Sequence, residues 1–482
     1  MKKIFAALLV CALIMGCTAC KKSNNESTDL TESVFEIVEY ESGDAQDGET
    51  DNSADKSGNN AKDKYSVTLE NDKISEDSNA QQTLRKELKD SAKGKKLKIL
   101  STWGEDGILN QSWRAMFKAI CGGELEIIRC ADWSAMQQKL ASMHAANNAP
   151  DLYEMTNQDF PSIVYRNILL PLSDYIDFNS AVYTNVDREN LSQLKFNGKV
   201  YFWPTFTDST ALKKGLWINK SLFENIPENQ MPDALIKSNN WTWDTMYELV
   251  KKTTNKQKGI FGLAAPHNSC FAAGLVAATG EDFIKYTENG IICNYQSQNV
   301  TRAMNMFKKL ADPNYCEIEK ATEVFQNGKA AMMYGSAVNV ADKKLNSLAK
   351  EGVLEIVPLP RDPQKKEYIV LGDLTGLAVP SGSKNKETAI NFIRMLRASD
   401  YYNKQVGEIY YKKNNFTEQA RKYSEDCGTK YKMLIETSMG IKEILSVSWQ
   451  SYGAEYIAGN TTWETRAAEF APKIQSILDK LG

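Results

Sequence analysis

Between Leu97 and Tyr153 the apolar residues change period repeatedly. Leu97-Lys98-Ile99-Leu100 alternates as a half-buried strand does and runs into Ser101-Thr102-Trp103 and a polar turn, Gly104-Glu105-Asp106. Ser112–Ile120 has helical spacing, and Leu125–Ile128 reads as a second strand. Met136, Leu140 and Met143 then recur at helical spacing before Pro150-Asp151-Leu152-Tyr153, a third strand. This order admits few folds, because parallel strands need long crossover connections, usually helices. It predicts a parallel α/β sheet, in which ligands bind at loops beyond the carboxyl ends of the strands. Further on, Thr242 is placed to cap a helix on which Trp243, Met246 and Val250 share one face, so Trp241 and Trp243 are expected in the core. Glu387–Leu396 and Trp463–Leu481 also read as helices.

The chain has 482 residues, 42% of them hydrophobic, with 58 Lys+Arg against 61 Asp+Glu and a net charge of −3. These proportions exclude a collagen, a wholly disordered chain and a polytopic membrane protein, and the length suggests two or three domains. The charge is segregated. Residues 23–84 hold 16 acids and 4 Lys, whereas the chain from residue 85 onward carries a net +5. That excess is too dilute for a nucleic-acid binder. Residues 21–95 contain no Pro or Trp and only Phe35, Tyr40 and Tyr65 as aromatics. Such a segment buries too little apolar surface to offset its ordering entropy. It is expected to be a disordered acidic tether, with at most a short strand at Val34–Tyr40 and a helical turn at Gln81–Leu88.

At the amino end, Lys2 and Lys3 precede an apolar run from Ile4 to Met15, followed by Gly16 and Cys17. The run is too short to span a bilayer as a helix and suits a secretory signal. Ile14-Met15-Gly16-Cys17 resembles the bacterial lipoprotein box, which implies a signal peptide over 1–16 and lipidation of Cys17, with Cys20 as the alternative. An ordinary signal peptide with incidental Cys is the competing reading. Cys17-Thr18-Ala19-Cys20 lacks the βαβ context of a redox motif. Cys121 and Cys130 bracket a strand and are candidates for a disulfide. His144 and His267 are the only His residues, so neither a His-based zinc site nor a Ser-His-Asp triad is expected, and no metal or cofactor is assigned.

Several stretches together resemble the extracellular solute-binding proteins of ABC importers, of the maltose- and oligosaccharide-binding type. They are Leu97–Trp103; Ala149-Pro150-Asp151-Leu152-Tyr153 with Leu169-Leu170-Pro171-Leu172; Phe196-Asn197-Gly198-Lys199-Val200-Tyr201 with Pro204; Ile218-Asn219-Lys220 with Leu222-Phe223; Trp241–Asp244; Phe325 with Gly328-Lys329-Ala330-Ala331-Met332; and Gly376-Leu377-Ala378-Val379 with Lys386–Leu396. Each is weak alone, but their order is specific, and they cover about residues 96–482. The resemblance implies a two-lobed α/β fold like that of periplasmic binding proteins, with a hinge and a ligand cleft between the lobes. Lobe one would comprise 96–206 plus 335–398, and lobe two 207–334 plus 399–482, after a lipidated tether over 17–95. It further implies a monomer without catalytic activity. Held by its lipid outside the cytoplasmic membrane, it would close on a solute, in that family an oligosaccharide, and present it to the membrane permease subunits.

Sugars offer C–H faces to aromatic rings and hydroxyls to carboxylates and amides. By that chemistry and the resemblance, the candidate ligand residues are Trp103, Glu105 and Asp106 after the first strand, and Gln158 and Asp159 after the third. Trp203 and Asp208 flank the first crossover. Asn268 and Phe271 follow the strand Ile260–Ala264, Tyr334 and Ser336 sit at the second crossover, Asp373 precedes Gly376, and Trp449 lies in the C-terminal region. Each has a structural alternative as core, cap or turn. Two family positions depart from the pattern, at Ala337 and Gly453, so the resemblance does not extend to maltose specificity. The competing functions are an exported glycosidase using paired carboxylates, a receptor for a non-sugar solute, and a sensor or adhesin of the same fold.

Overall fold

The computed structural model describes residues 74–104, 108–156, 159–204, 212–265, 271–287, 290–373, 375–438, 441, 456, 459 and 461–480. It opens within the segment expected as tether. Helix α1 (Asn79–Leu88) starts at a capping box in which Ser78 and Gln81 exchange side-chain and backbone hydrogen bonds. Leu84 and Leu88 are buried in one core with Trp113, Phe117 and Phe392. Arg85 reaches the Asp77 carboxylate at 2.6 Å and the carbonyl of Ala398 at 2.5 Å. Asp77 in turn accepts the N–H groups of Asp400 and Tyr401 at 3.1 and 3.2 Å. Residues 74–95 are therefore part of the folded body, a correction to the expected boundary at residue 96. Few apolar residues sufficed because they fall on one helical face.

The first sheet follows. Strand β1 (Lys96–Ser101), helix α2 (Ile108–Met116), strand β2 (Glu124–Arg129), helix α3 (Trp133–Ala145) and strand β3 (Leu152–Thr156) alternate as expected. β1 pairs in parallel with β2, Leu97 opposite Leu125, and with β3, Ile99 opposite Leu152. Cys121 and Cys130 are both free. They lie beyond opposite ends of β2, whose six residues extend about 20 Å at strand rise, far over the reach of a disulfide; the expected pairing is corrected. Helix α4 (Asn185–Gln193) and strand β4 (Phe202–Pro204) complete this stretch.

The chain then enters a second sheet. Strand β5 (Leu212–Asn219) lies at its centre. After it come helix α5 (Trp243–Thr253), strand β6 (Phe261–Ala264), helix α6 (Phe271–Ala278), the hairpin β7 (Ile284–Thr287) and β8 (Gly290–Cys293), and helix α7 (Gln298–Leu310). Strands β9 (Cys316–Glu317), β10 (Ala330–Ser336), β11 (Leu354–Val357) and β12 (Ile369–Asp373) follow. Thr242 caps α5, and Trp241 and Trp243 are buried. β10, β11 and β12 all pair antiparallel with β5. The expected return to lobe one at residue 335 is thus corrected: the second sheet retains the chain through Asp373, because β11 and β12 complete the pairing of β5 beyond β10.

The return is made by strand β13 (Thr375–Ala378), which inserts between β3 and β4 and gives the first sheet the order β2-β1-β3-β13-β4. Asp373 pairs opposite Leu212, and Gly376 opposite Pro204. On either side of the crossing, the returning chain therefore pairs with the outgoing one, in the second sheet at Asp373 and in the first at Gly376. A Cβ on Gly376 would lie 2.4 Å from the Trp203 carbonyl oxygen, so only glycine fits that approach.

Helices α8 (Lys386–Met395) and α9 (Asp400–Lys413) stay with the first lobe, where Tyr402 and Val406 join the core of Trp113. This corrects the expected division at residue 399. Helix α10 (Glu418–Asp426) packs on the second sheet, and Tyr423 donates to the carbonyl of Lys214 at 2.6 Å. Strand β14 (Lys432–Ile435) adds to β12 in parallel, giving the order β9-β6-β10-β5-β12-β14, and helix α11 (Trp463–Leu478) ends the described chain. Gln193 of α4 donates to the Met433 carbonyl at 3.2 Å and accepts from the Ile435 N–H at 2.9 Å, covering the edge of β14 from the other lobe. Among the described residues no helix is long and apolar enough to cross a membrane.

Candidate functional site

The carboxyl ends of β1 and β3 and the start of β13 lie at the end of the first sheet from which the chain crosses to the second. Trp103 stands just past β1. It is 45% exposed, whereas Trp113, Trp203, Trp217, Trp241, Trp243 and Trp463 are buried. Its exposure is not looseness. The Trp103 N–H donates to the Ser101 hydroxyl at 3.0 Å, and that hydroxyl donates to Glu154 Oε2 at 2.5 Å. The Thr102 N–H reaches the same oxygen at 3.3 Å. Glu154 lies within β3 and is almost fully buried. Burial pushes its carboxyl up to about 7, against the lowering effect of hydrogen bonds from Ser101, the Thr102 N–H and the Trp103 side chain.

The other expected ligand residues divide. Asp373 ends β12 at the return crossing, with Oδ2 2.8 Å from Lys214 Nζ and Oδ1 buried with no hydrogen-bond partner among the described residues. Asp159, past β3, is 1% exposed and spends its carboxylate on the chain itself. Oδ2 accepts from the Thr156 N–H at 2.9 Å, and Oδ1 accepts from the Gln137 side chain. Ser336 caps the turn after β10 through Val338, and its carbonyl accepts from the Trp217 indole at 3.0 Å.

Three aromatics expected at the ligand are instead core. Trp203 stacks on Phe178 at 5.9 Å, meets the edge of Tyr183 at 5.2 Å and lies under the Arg397 guanidinium. Phe271 and Tyr334 pack on each other at 5.2 Å, and Phe271 also meets Phe307. All three are at most 2% exposed, so none presents a ring face to a solute in this structure. Their positions beside crossovers are also where two lobes need packing. Glu105, Asp106, Gln158, Asp208, Asn268 and Trp449, together with Cys17 and Cys20, lie outside the described residues.

Sequence reasoning passed over a group where the two lobes meet. Phe160, past β3, packs on Tyr286 of β7 with ring centroids 5.4 Å apart. Beside Tyr286, Asp282 accepts from the Thr437 hydroxyl at 3.2 Å, and burial pushes its carboxyl up to about 6 against the hydrogen bonds of Phe283 and Thr437. Glu436, next to Thr437, is fully buried and accepts from the Ser438 N–H at 2.9 Å. The available signal was an acid inside an apolar strand context: Glu154 within Leu152–Met155, and Glu436 directly after β14.

A cavity of about 470 Å³ lies elsewhere, between α2, α9 and α10, lined by Trp113, Trp203, Arg397, Val406, Tyr411 and Arg421 among others. Of the expected ligand residues it contains Trp203 alone, and Trp103, Asp159 and Asp373 are not in its wall. Size does not make it the solute site. Among the described residues no group of three His, Cys, Asp or Glu could hold a metal ion.

Residues 112–412 match the family described as bacterial extracellular solute-binding protein. The diacetylchitobiose binding protein DasA of Streptomyces coelicolor is 25% identical over 313 residues, 63% of this chain and 70% of that protein. Two solved structures show the same fold. The sugar-binding protein MalE of Xanthomonas citri superposes with a TM-score of 0.63 at 16% identity, covering 80% of this chain and 98% of that one. The extracellular solute-binding protein of Staphylococcus aureus in complex with maltose gives 0.60 at 14% identity, covering 80% and 98%.

Proposed function

The chain belongs to the bacterial extracellular solute-binding proteins, and from that premise we propose that it captures a carbohydrate, most simply an oligosaccharide, between its two lobes. The observation that carries the reading is Trp103: an exposed ring, fixed by its own backbone at the crossing end of the first sheet. A flat apolar face held in one orientation suits the C–H face of a sugar, and stacking of this kind loses little entropy when the ring is already ordered. Asp373, with one oxygen tied to Lys214 and the other without a partner among the described residues, offers an acceptor for a hydroxyl at the crossing. Diacetylchitobiose, named for DasA, supports the same ligand class.

Capture works through differential contact. A solute touching both lobes favours the closed arrangement by as much as it binds that arrangement better. The paired crossing strands are the element about which the lobes would turn. The closed protein would then hand its solute to the permease of an ABC importer, with no chemical step. Lipidation at Cys17, with Cys20 as the alternative, would hold the body at the outer face of the cytoplasmic membrane, and two or more acyl chains anchor stably.

The test is a thermal-shift screen of the folded body, from residue 74 onward, against neutral oligosaccharides, amino acids, short peptides and polyamines. A solute at about 100 times its dissociation constant adds about 2.7 kcal/mol to stability. A rise in Tm with an oligosaccharide class, without its hydrolysis, is the expected result. Stabilisation by peptides or polyamines alone refutes the carbohydrate reading, and hydrolysis of the bound sugar refutes a binding-only role.

A further inference from the structure

Past Ser101 the β1 backbone leaves the sheet, and its N–H groups lose the ladder partners that satisfied them. Two of those groups are caught from below. The Thr102 N–H donates to Glu154 Oε2 at 3.3 Å, and the Trp103 N–H donates to the Ser101 hydroxyl at 3.0 Å. The same hydroxyl passes its proton toward Glu154 Oε2 at 2.5 Å. One buried acid in the neighbouring strand thus holds the backbone that carries the exposed tryptophan.

The cost of this arrangement argues for a use. Leu152, Tyr153 and Met155 surround Glu154 in β3, and all are fully buried. An apolar residue at 154 would pack there without the penalty of removing a carboxyl group from water. What an apolar residue would not do is hold the first two residues after the strand. Ordering them in advance removes a cost otherwise met on binding, because a loop frozen by its ligand takes that ordering out of the affinity.

We infer that Glu154 is a positioning residue for solute capture, acting through the Ser101 hydroxyl to fix Trp103 in its stacking orientation before the solute arrives. It touches no solute itself. The inference rests on the reading that Trp103 stacks on a sugar, and its test separates the two.

The experiment compares Glu154→Gln, Glu154→Leu, Ser101→Ala, Trp103→Ala and the Ser101→Ala/Trp103→Ala pair in the full chain. Amide hydrogen exchange at residues 102 and 103 is read without solute, and maltotetraose and diacetylchitobiose binding by calorimetry. Glu154→Gln keeps an acceptor oxygen, so its exchange and affinity stay near those of the parent. Glu154→Leu exposes the Thr102 amide, Ser101→Ala exposes the Trp103 amide, and each weakens binding about tenfold, equivalent to about 1.4 kcal/mol. The effect of Ser101→Ala on affinity disappears once Trp103 is Ala, as coupling through one ring requires. Unchanged amide protection in Glu154→Leu and Ser101→Ala overturns the inference, as does an affinity loss from Ser101→Ala that is the same with and without Trp103. If Trp103→Ala binds either sugar as tightly as the parent protein does, the stacking reading fails and the inference about capture falls with it; the exchange data then still report whether the two amides are anchored.

Discussion

Glu154 makes stability depend on pH in a direction opposite to most carboxylates. Its carboxyl is raised by burial from an ordinary value of 4.5 to about 7 in the folded protein. The unfolded chain therefore loses this proton at lower pH than the folded one. Its contribution is fully present below about pH 4.5 and is lost as pH rises through 7. Most of that loss, about 2–3 kcal/mol, falls between pH 5 and 8. Unfolding entropy of about 2 cal/mol/K per residue over roughly 400 residues converts it to about 3 °C in Tm. Asp282, raised by burial to about 6, tilts the curve the same way at slightly lower pH. Glu281 tilts it oppositely: despite burial, hydrogen bonds from Ser297, Asn294 and Asn299 and the charge of Lys285 bring it down to about 2. Both are shared by a Glu154→Gln variant, so the difference between parent and variant isolates one group. Thermal melts of the two at pH 5, 6, 7 and 8, at constant ionic strength, are the assay. The parent should lose about 3 °C relative to the variant across that range. A difference that stays constant with pH, or moves in the parent's favour, would refute the assignment of a buried, raised carboxyl at this position.

Four further outcomes follow from burial and packing. Leu88→Ala should cost about 3 kcal/mol, because Leu88 is 1% exposed and large-to-small core changes fall in that range; a chain begun at residue 96 should melt lower still than one begun at 74. Arg397→Leu strands Asp187, a carboxylate with no exposed surface that accepts from both Arg397 Nε at 2.9 Å and the Thr184 N–H at 2.7 Å; breaking such a buried pair costs about 3–5 kcal/mol, read as a lower denaturation midpoint. Trp103→Ala should leave Tm nearly unchanged, since the ring is half exposed, while weakening binding of whichever oligosaccharide the thermal screen selects by about tenfold; titration calorimetry distinguishes the two effects.

The parallel strands of lobe one were legible in the sequence, the antiparallel insertion of β13 between β3 and β4 was not, and the hinge was legible only in part. β1, β2 and β3 each announced themselves by periodicity, and the helices between them by spacing, because each signal is local. The crossing back was not local. Pairing of β11 and β12 onto β5 joins residues more than a hundred positions apart, and nothing in Leu354–Val357 or Ile369–Asp373 says which sheet they enter. Helix α1 was underrated for a related reason. Its composition is that of a solvated segment, and only the core it meets, with Trp113, Phe117 and Phe392, makes Leu84 and Leu88 core residues. At the site, aromatic identity alone could not separate Trp103 from Trp203. Both are tryptophans beside a strand end, yet one is exposed and the other is enclosed by Phe178, Tyr183 and Arg397. Glu154 was overlooked because its use depends on a neighbouring strand.

The docking of α1 also decides how force would pass through the molecule. A pull on the chain ahead of residue 74 arrives at the Arg85 and Asp77 contacts and is handed, in shear, to the junction of α8 and α9 at Ala398–Tyr401. That junction belongs to the first lobe, so the load ends there. The second lobe, joined through the crossing strands and the α9–α10 connection, hangs outside the loaded path. A load applied at residue 74 would thus be borne by the first lobe alone, with the second lobe reached only through the strands that join the two sheets.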